Sequence, residues 1–177
     1  MPTTSSVLVV VDVQNGFIRP PSASVVPVIR DLVQRWRNAG GDVVFTRYLN
    51  YPGSPFERMI HWTQLQDSPQ IDIVPELQPA ANRATAVLDK TIYSLFSPEG
   101  KELVSSHGWT DLYICGIATE SCVLKTAVDA FELDLTPWVI EDASASHAGQ
   151  AAHDAGILVI QRFIGAGQII RVADVPA

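Results

Sequence analysis

The chain has 177 residues, of which 47% are hydrophobic and 18% charged, so it is expected to form a single domain over residues 1–177 with a substantial apolar core. Nineteen acidic side chains outnumber twelve basic ones, and the net charge of −7 argues against partners such as nucleic acid or an anionic membrane surface. Two cysteines are too few for a disulfide framework, and the N-terminus lacks the pattern of a signal peptide, so we expect a cytoplasmic protein.

The first half of the chain alternates between strand and helix patterns. A continuous β-branched run at residues 7–11 is typical of a strand that is buried on both faces. Helical spacing of apolar residues predicts a helix over 25–39, and a second strand follows at 43–46. The segment 47–79 is rich in proline and aromatic residues and has weak periodicity, and loops of this length tend to carry function.

The second half continues the alternation. Its patterns predict strands at 86–90, 112–116, 138–140 and 168–172, and helices that begin at Ser97, span 120–133 and span 146–155. Strands that alternate with helices form right-handed crossovers and a parallel sheet covered on both faces. We therefore predict a three-layer α/β/α domain with a Rossmann-like parallel sheet of about six strands.

Three reactive side chains are expected at the carboxyl ends of the strands, where such sheets bind their ligands. Asp12 follows the first strand, Lys90 ends the third, and Cys122 follows the fourth. Each has a common structural explanation when taken alone: a turn aspartate, a solvated amine and a small buried residue. Together they could supply the base, the cation and the nucleophile of covalent catalysis.

The two cysteines have different interpretations. If Thr119 caps the helix, Cys122 lies in the first helical turn, where free backbone N–H groups and the positive end of the dipole favour a thiolate. The same N–H groups could hold an oxyanion. Cys115 lies in the middle of a predicted strand and is interpreted as a core residue.

Three sequence segments carry a family resemblance over nearly the whole chain. They read VVDVQNGF at 10–17, LDKTIYSLF at 88–96 and GIATESCV at 116–123. In order and spacing the chain resembles the isochorismatase-like cysteine hydrolases, which include N-carbamoylsarcosine amidase, nicotinamidases and ureido-acid hydrolases. The resemblance implies a catalytic triad of Asp12, Lys90 and Cys122. It also implies a cis peptide bond before Ala118 that turns the Ala118 amide toward an oxyanion, beside the amide of Cys122.

Departures from the family pattern argue against two of the reactions found in the family. Nicotinamidases carry an Asp-x-His metal motif after the second strand, whereas residues 46–50 read TRYLN here and the only histidine of this region is His61, so no metal or other cofactor is expected. True isochorismatases lack the cysteine, so Cys122 argues against vinyl ether cleavage. Gly16 stands where the family commonly has aspartate.

Several further residues are candidates for the substrate pocket. Phe17 and Thr119 are assigned to its lining, although aromatic residues such as Phe17, Tyr48, Trp62 and Tyr93 are equally common in ordinary packing. His147 follows the fifth strand and is interpreted as a solvated residue at a helix start rather than as a partner of Cys122.

These observations predict an amidase-like hydrolase that cleaves a C–N bond of a small amide, ureido or carbamoyl compound. In this hypothesis Asp12 takes the thiol proton, Cys122 forms a thioester, and Lys90 stabilises the thiolate. Transfer of the acyl group to an acceptor other than water stays open. So does a non-catalytic module on the same fold that binds a small molecule or senses redox state. A small-molecule substrate is the expected partner, and the resemblance implies a homo-oligomer.

Overall fold

A computed structural model describes residues 1–176 of the chain. Within these residues, six parallel strands form one sheet in the order β3-β2-β1-β4-β5-β6. The predicted α/β class with a six-stranded parallel sheet is therefore confirmed. The strands are β1 Ser6–Val11, β2 Asp42–Tyr48, β3 Ala86–Lys90, β4 Asp111–Ile117, β5 Thr136–Ala145 and β6 Ile169–Ile170.

Helices cover both faces of the sheet. They are α1 Pro20–Ala23, α2 Val25–Asn38, α3 Pro55–Ile60, α4 Gln78–Ala81, α5 Pro98–His107, α6 Leu124–Glu132 and α7 Gln150–Ile164. The apolar residues of α2 pack on one face, and those of α5, α6 and α7 pack on the other. No helix among residues 1–176 combines the length and the apolar character that crossing a bilayer requires.

Strand β1 shows why the central strands are apolar throughout. Leu8 and Val10 point into the cluster beneath α2, whereas Val7, Val9 and Val11 point into the cluster beneath α5, α6 and α7. All five side chains are fully buried, as expected for a parallel strand with both faces covered. This burial fixes the end of β1, and with it the position of the residue that follows.

The predicted helix over 120–133 is wrong in its first turn. Residues Thr119–Val123 form a single π turn, and α6 begins only at Leu124. Ala118, not Thr119, occupies the N-cap position, and the Val123 amide donates to the Ala118 carbonyl at 3.2 Å. The Thr119 hydroxyl is not free to cap the helix because it pairs with Nδ1 of His153 at 2.8 Å.

Two other sequence predictions differ from the structure. The helix predicted at 146–155 begins later, at Gln150, and runs on to Ile164, because β5 continues past an irregularity in its pairing with β4 as far as Ala145. The segment 47–79 contains α3, whose N-cap Ser54 accepts a hydrogen bond from the Glu57 amide. The helix start at Ser97 is confirmed, since its hydroxyl accepts from the Gly100 amide.

Candidate active site

Asp12 and Lys90 form a fully buried ion pair at the carboxyl ends of two strands. Asp12 follows β1 and Lys90 ends β3, and Nζ lies 2.7 Å from Oδ2 with both side chains inaccessible to solvent. The pair passes over β2, which lies between these strands. From β2, the Thr46 hydroxyl donates to the other carboxylate oxygen of Asp12 at 2.6 Å. Both oxygens of the carboxylate are thus held in place.

The ammonium of Lys90 is fixed by three acceptors. Besides Asp12, it donates to the carbonyls of Ile92 at 3.0 Å and Tyr93 at 2.9 Å. Burial opposes the charged form of Lys90, but the charge of Asp12 and the nearby side chain of Cys122 outweigh it and raise the pKa of Lys90. The raised pKa favours the ammonium form next to both Asp12 and Cys122.

The backbone at Asp12 has a conformation that is uncommon for a residue with a side chain. Its φ is 50°, in the left-handed region, and its amide donates to the Thr46 hydroxyl at 3.2 Å. Non-glycine residues in this region concentrate at functional sites. The turn ends β1 abruptly and directs the carboxylate across the end of the sheet.

Cys122 lies in the π turn and is 5% exposed. Burial and the charge of Asp12 raise the pKa of its thiol, and the charge of Lys90 lowers it by less. The raised pKa favours the thiol as the resting form of Cys122, in contrast to the sequence-based expectation that the helix start and Lys90 would favour a thiolate. Burial and the Asp12 carboxylate together outweigh the effect of the Lys90 charge.

An aromatic cavity of about 350 Å³ opens above Cys122. The rings of Phe17 and Trp62 stack within it at 5.9 Å, and those of Phe56 and Tyr93 meet edge to face at 4.9 Å. The sequence did not single out Phe56, Ile60, Glu120 or Ser121 for this lining. The lining residues are Phe17, Tyr48, Phe56, Ile60, Trp62, Tyr93, Ala118, Glu120, Ser121, Cys122 and His147.

The two residues assigned to the pocket from sequence lie in different places. Phe17 forms part of the cavity wall. Thr119 does not line the cavity, because its side chain is fully buried and directed toward His153 of α7. The geometry of the π turn explains the difference, since Cys122 faces the cavity and Thr119 faces the helix layer.

The peptide bond between Ile117 and Ala118 is cis, and Ala118 lines the cavity next to Cys122. The sequence predicts that the amides of Ala118 and Cys122 hold an oxyanion. Both residues line the same cavity.

His147 contributes to the cavity wall and is exposed, so its interpretation as a solvated residue is confirmed, although it lies in the turn before α7 rather than at the helix start. Its ring stacks on Phe17 at 5.4 Å, and α7 begins only at Gln150. Burial lowers the pKa of His147, although the charge of Glu120 acts in the opposite direction. The lowered pKa favours the neutral imidazole.

Gly16 lies where the loop after β1 meets the segment 47–79. A Cβ atom at this position would be 2.5 Å from Cδ1 of Leu65, and the Gly16 amide donates to the carbonyl of Gln70 at 2.9 Å. The absence of a side chain allows this close approach. An aspartate here would require Leu65, and the segment that carries it, to move.

The His, Cys, Asp and Glu side chains of residues 1–176 do not form a group of three or more arranged to hold a metal ion. His61, the histidine considered for this role, is an exposed residue at the end of α3.

Comparison with known proteins gives a consistent family assignment. A family model described as the isochorismatase domain matches residues 6–172. Ureidoacrylate amidohydrolase RutB from Serratia proteamaculans is 30% identical over 192 residues, covering 89% of this chain and 77% of the relative. Streptothricin hydrolase from Streptomyces noursei is 31% identical over 153 residues, covering 83% of this chain and 52% of that protein.

The fold is shared with solved structures as well. The structure of N-carbamoylsarcosine amidase from Thermoplasma acidophilum superposes with a TM-score of 0.83, covering 98% of this chain and 99% of that one. At 24% identity this likeness concerns the fold.

Proposed function

Because the chain belongs to the isochorismatase family, we propose that it is a cysteine hydrolase that cleaves a C–N bond of a small amide, ureido or carbamoyl compound. Membership confirms the resemblance seen in the sequence and the prediction of an amidase-like enzyme, since the relatives include an amidohydrolase. The observation that most supports the reaction is that Cys122, which lines the cavity, lies close enough to the buried pair of Asp12 and Lys90 for both charges to act on its thiol.

In the proposed first step, Cys122 attacks the carbonyl carbon of the substrate. Its proton passes to the Asp12 carboxylate while the S–C bond forms and the π electrons move to the carbonyl oxygen. General-base transfer during attack suits a thiol whose pKa is raised, because no thiolate needs to accumulate beforehand. Lys90 stabilises the negative charge that develops on sulfur, and the amides of Ala118 and Cys122 hold the oxyanion.

In the second step, the tetrahedral intermediate collapses and the C–N bond breaks. Asp12 returns the proton to the leaving nitrogen, so ammonia or an amine departs and Cys122 remains as a thioester. Water then attacks the thioester and gives one proton to Asp12. The C–S bond breaks, the sulfur recovers that proton, and the acid product leaves.

The cavity restricts the substrate to a small molecule. Its volume of about 350 Å³ is at the lower end for ligand sites, and most of its wall is aromatic. The amide or ureido group has to reach Cys122 at its base, so the remainder of the substrate lies between rings such as Phe17 and Trp62.

An ammonia-release screen over small amides, ureas and carbamoyl amino acids tests the proposal. We expect release from at least one of these classes by the wild-type enzyme and none by Cys122→Ala. Chromatography of the products distinguishes a free acid from an acyl group transferred to another acceptor. Undiminished release by Cys122→Ala would contradict the proposal, and binding without turnover would favour the non-catalytic module.

A further inference from the structure

The cavity wall contains one carboxylate, Glu120, whose charge is not compensated. Oε1 accepts a hydrogen bond from the Ser146 hydroxyl at 2.7 Å, whereas Oε2 is buried without a hydrogen-bond partner. Among the described residues, no lysine or arginine forms a salt bridge with it. The pKa of the neighbouring His147 is lowered by partial burial, which disfavours an imidazolium beside Glu120.

The cations nearest the site are committed elsewhere. All three donors of Lys90 are used by Asp12 and by the carbonyls of Ile92 and Tyr93. Arg19 is exposed, outside the cavity lining, and donates to the Ile18 carbonyl and to Oε1 of Gln64, although its charge acts on His147 in the wall and helps to lower the pKa of that residue. A negatively charged substrate would therefore meet no available cation within the wall.

The rest of the wall also disfavours an anion. Aromatic faces carry negative electrostatic potential, so rings such as Phe17, Trp62 and Tyr93 favour apolar or positively charged groups. Because Oε2 of Glu120 is buried, salt screens this carboxylate less than an exposed one, and its field extends into a cavity of this size. The aromatic rings and the Glu120 carboxylate therefore both disfavour a negatively charged ligand.

We propose that Glu120 is a specificity-determining residue, and that the cavity takes amides or ureas whose substituent is neutral or positively charged and rejects those that carry a carboxylate. This inference rests on the proposed function, because it names the substrate class of the same site. It separates the chain from the relative that is named for ureidoacrylate, which is itself a carboxylate.

Three ureas of similar length provide the test: propylurea is neutral, 2-aminoethylurea is cationic and ureidoacetate is anionic. Their dissociation constants are measured by calorimetry on the Cys122→Ala protein, so that binding is read independently of hydrolysis. We expect ureidoacetate to bind about tenfold more weakly than propylurea, and 2-aminoethylurea to bind at least as tightly as propylurea.

Variants then test whether Glu120 causes the difference in affinity between ureidoacetate and propylurea. Glu120→Gln preserves the shape and an acceptor for Ser146, and we expect it to bring the ratio of the ureidoacetate and propylurea constants down to about twofold. Glu132→Gln, an exposed position at the end of α6, makes the same charge change away from the cavity and should leave the ratio unaltered. Arg19→Gln removes the one exposed cation whose charge acts on the wall, and we expect it to change the ratio less than Glu120→Gln does; a larger change would overturn the assignment to Glu120.

The proposal is overturned if ureidoacetate binds as tightly as propylurea, if 2-aminoethylurea binds more weakly than propylurea, or if none of the three binds. It is also overturned if Glu120→Gln changes the ratio no more than Glu132→Gln does. The comparison of the three ligands is decisive by itself if Glu120→Gln does not fold. Failure of the proposed function has a separate signature: the binding order holds, but the wild-type enzyme releases no ammonia from any urea or amide.

Discussion

The chain contains two buried cysteines that differ in their surroundings rather than in their exposure. Cys115 and Cys122 are 0% and 5% exposed, and burial raises the pKa of both thiols. Cys115 lies inside β4, within the apolar cluster beneath α2, and burial is the only cause of its shift. Cys122 also experiences the charges of Asp12 and Lys90 and borders a cavity.

The contrast shows that neither burial nor the direction of a pKa shift identifies a nucleophile. What separates Cys122 from Cys115 is a nearby carboxylate, Asp12, and a bordering cavity. A protonated resting thiol is compatible with catalysis when the base acts during attack. The following predictions test this distinction by removing the cysteines first and their partners afterwards.

The largest effect on activity is expected from substituting one of the two cysteines by alanine. Cys122→Ala should lower kcat/KM by at least about 10⁴-fold, because the nucleophile is lost. Cys115→Ala should retain the rate and lose only about 1 kcal/mol of unfolding free energy, since it removes one buried sulfur atom. Ammonia release and urea denaturation measure the two quantities. If a folded Cys115→Ala protein lost as much activity as Cys122→Ala, the proposed difference between the two cysteines would be contradicted.

Removing the proposed base, Asp12, should reduce the activity of the enzyme although Cys122 is still present. Asp12→Asn is expected to lower kcat by about 10²- to 10⁴-fold, the usual contribution of general acid–base catalysis. Asp89→Asn is the matched control, since Asp89 also lies at the end of β3 but pairs with Arg47 on the exposed side. An Asp12→Asn enzyme with the wild-type rate would show that another group takes the proton.

A smaller effect is expected on the chemical reactivity of the thiol. Because the pKa of Cys122 is raised, its alkylation by iodoacetamide should be slower than that of free cysteine near pH 7 and should increase with pH without levelling off up to pH of about 10. Asp12→Asn removes one cause of the raised pKa, so alkylation near pH 7 should become faster even as hydrolysis falls.

Peptide mapping assigns the label to each cysteine. Cys115 should stay unlabelled in the folded protein, because it is fully buried and is not part of the cavity lining next to Cys122. Alkylation of Cys122 that levels off near pH 7 would indicate a thiolate at rest and would overturn the general-base account.

Much of this site could be predicted from the sequence because strand ends are encoded locally. The β-branched run of β1 is buried on both faces, so the first charged residue after it has to lie at the edge of the sheet. The same reasoning located Lys90 at the end of β3 and separated Cys115 from Cys122. Parallel strand order then brings the ends together without any further sequence signal.

The cavity wall could not be predicted in the same way, since it depends on contacts between distant segments. Phe56 comes from a short helix within 47–79, and His147 reaches Phe17 only because β5 continues to Ala145 through a stretch interrupted by Glu141 and Asp142. The π turn that directs Thr119 away from the cavity has no periodicity that distinguishes it from an ordinary helix start.

The most direct test of the central claim is mass spectrometry of the enzyme quenched in acid during turnover of an active amide or urea. We predict a covalent acyl adduct on the peptide that contains Cys122, present in wild type and in Cys115→Ala and absent from Cys122→Ala. Asp12→Asn should form the adduct more slowly. Turnover without an adduct on Cys122 under any quench time, together with full activity of Cys122→Ala, would contradict covalent catalysis at this residue.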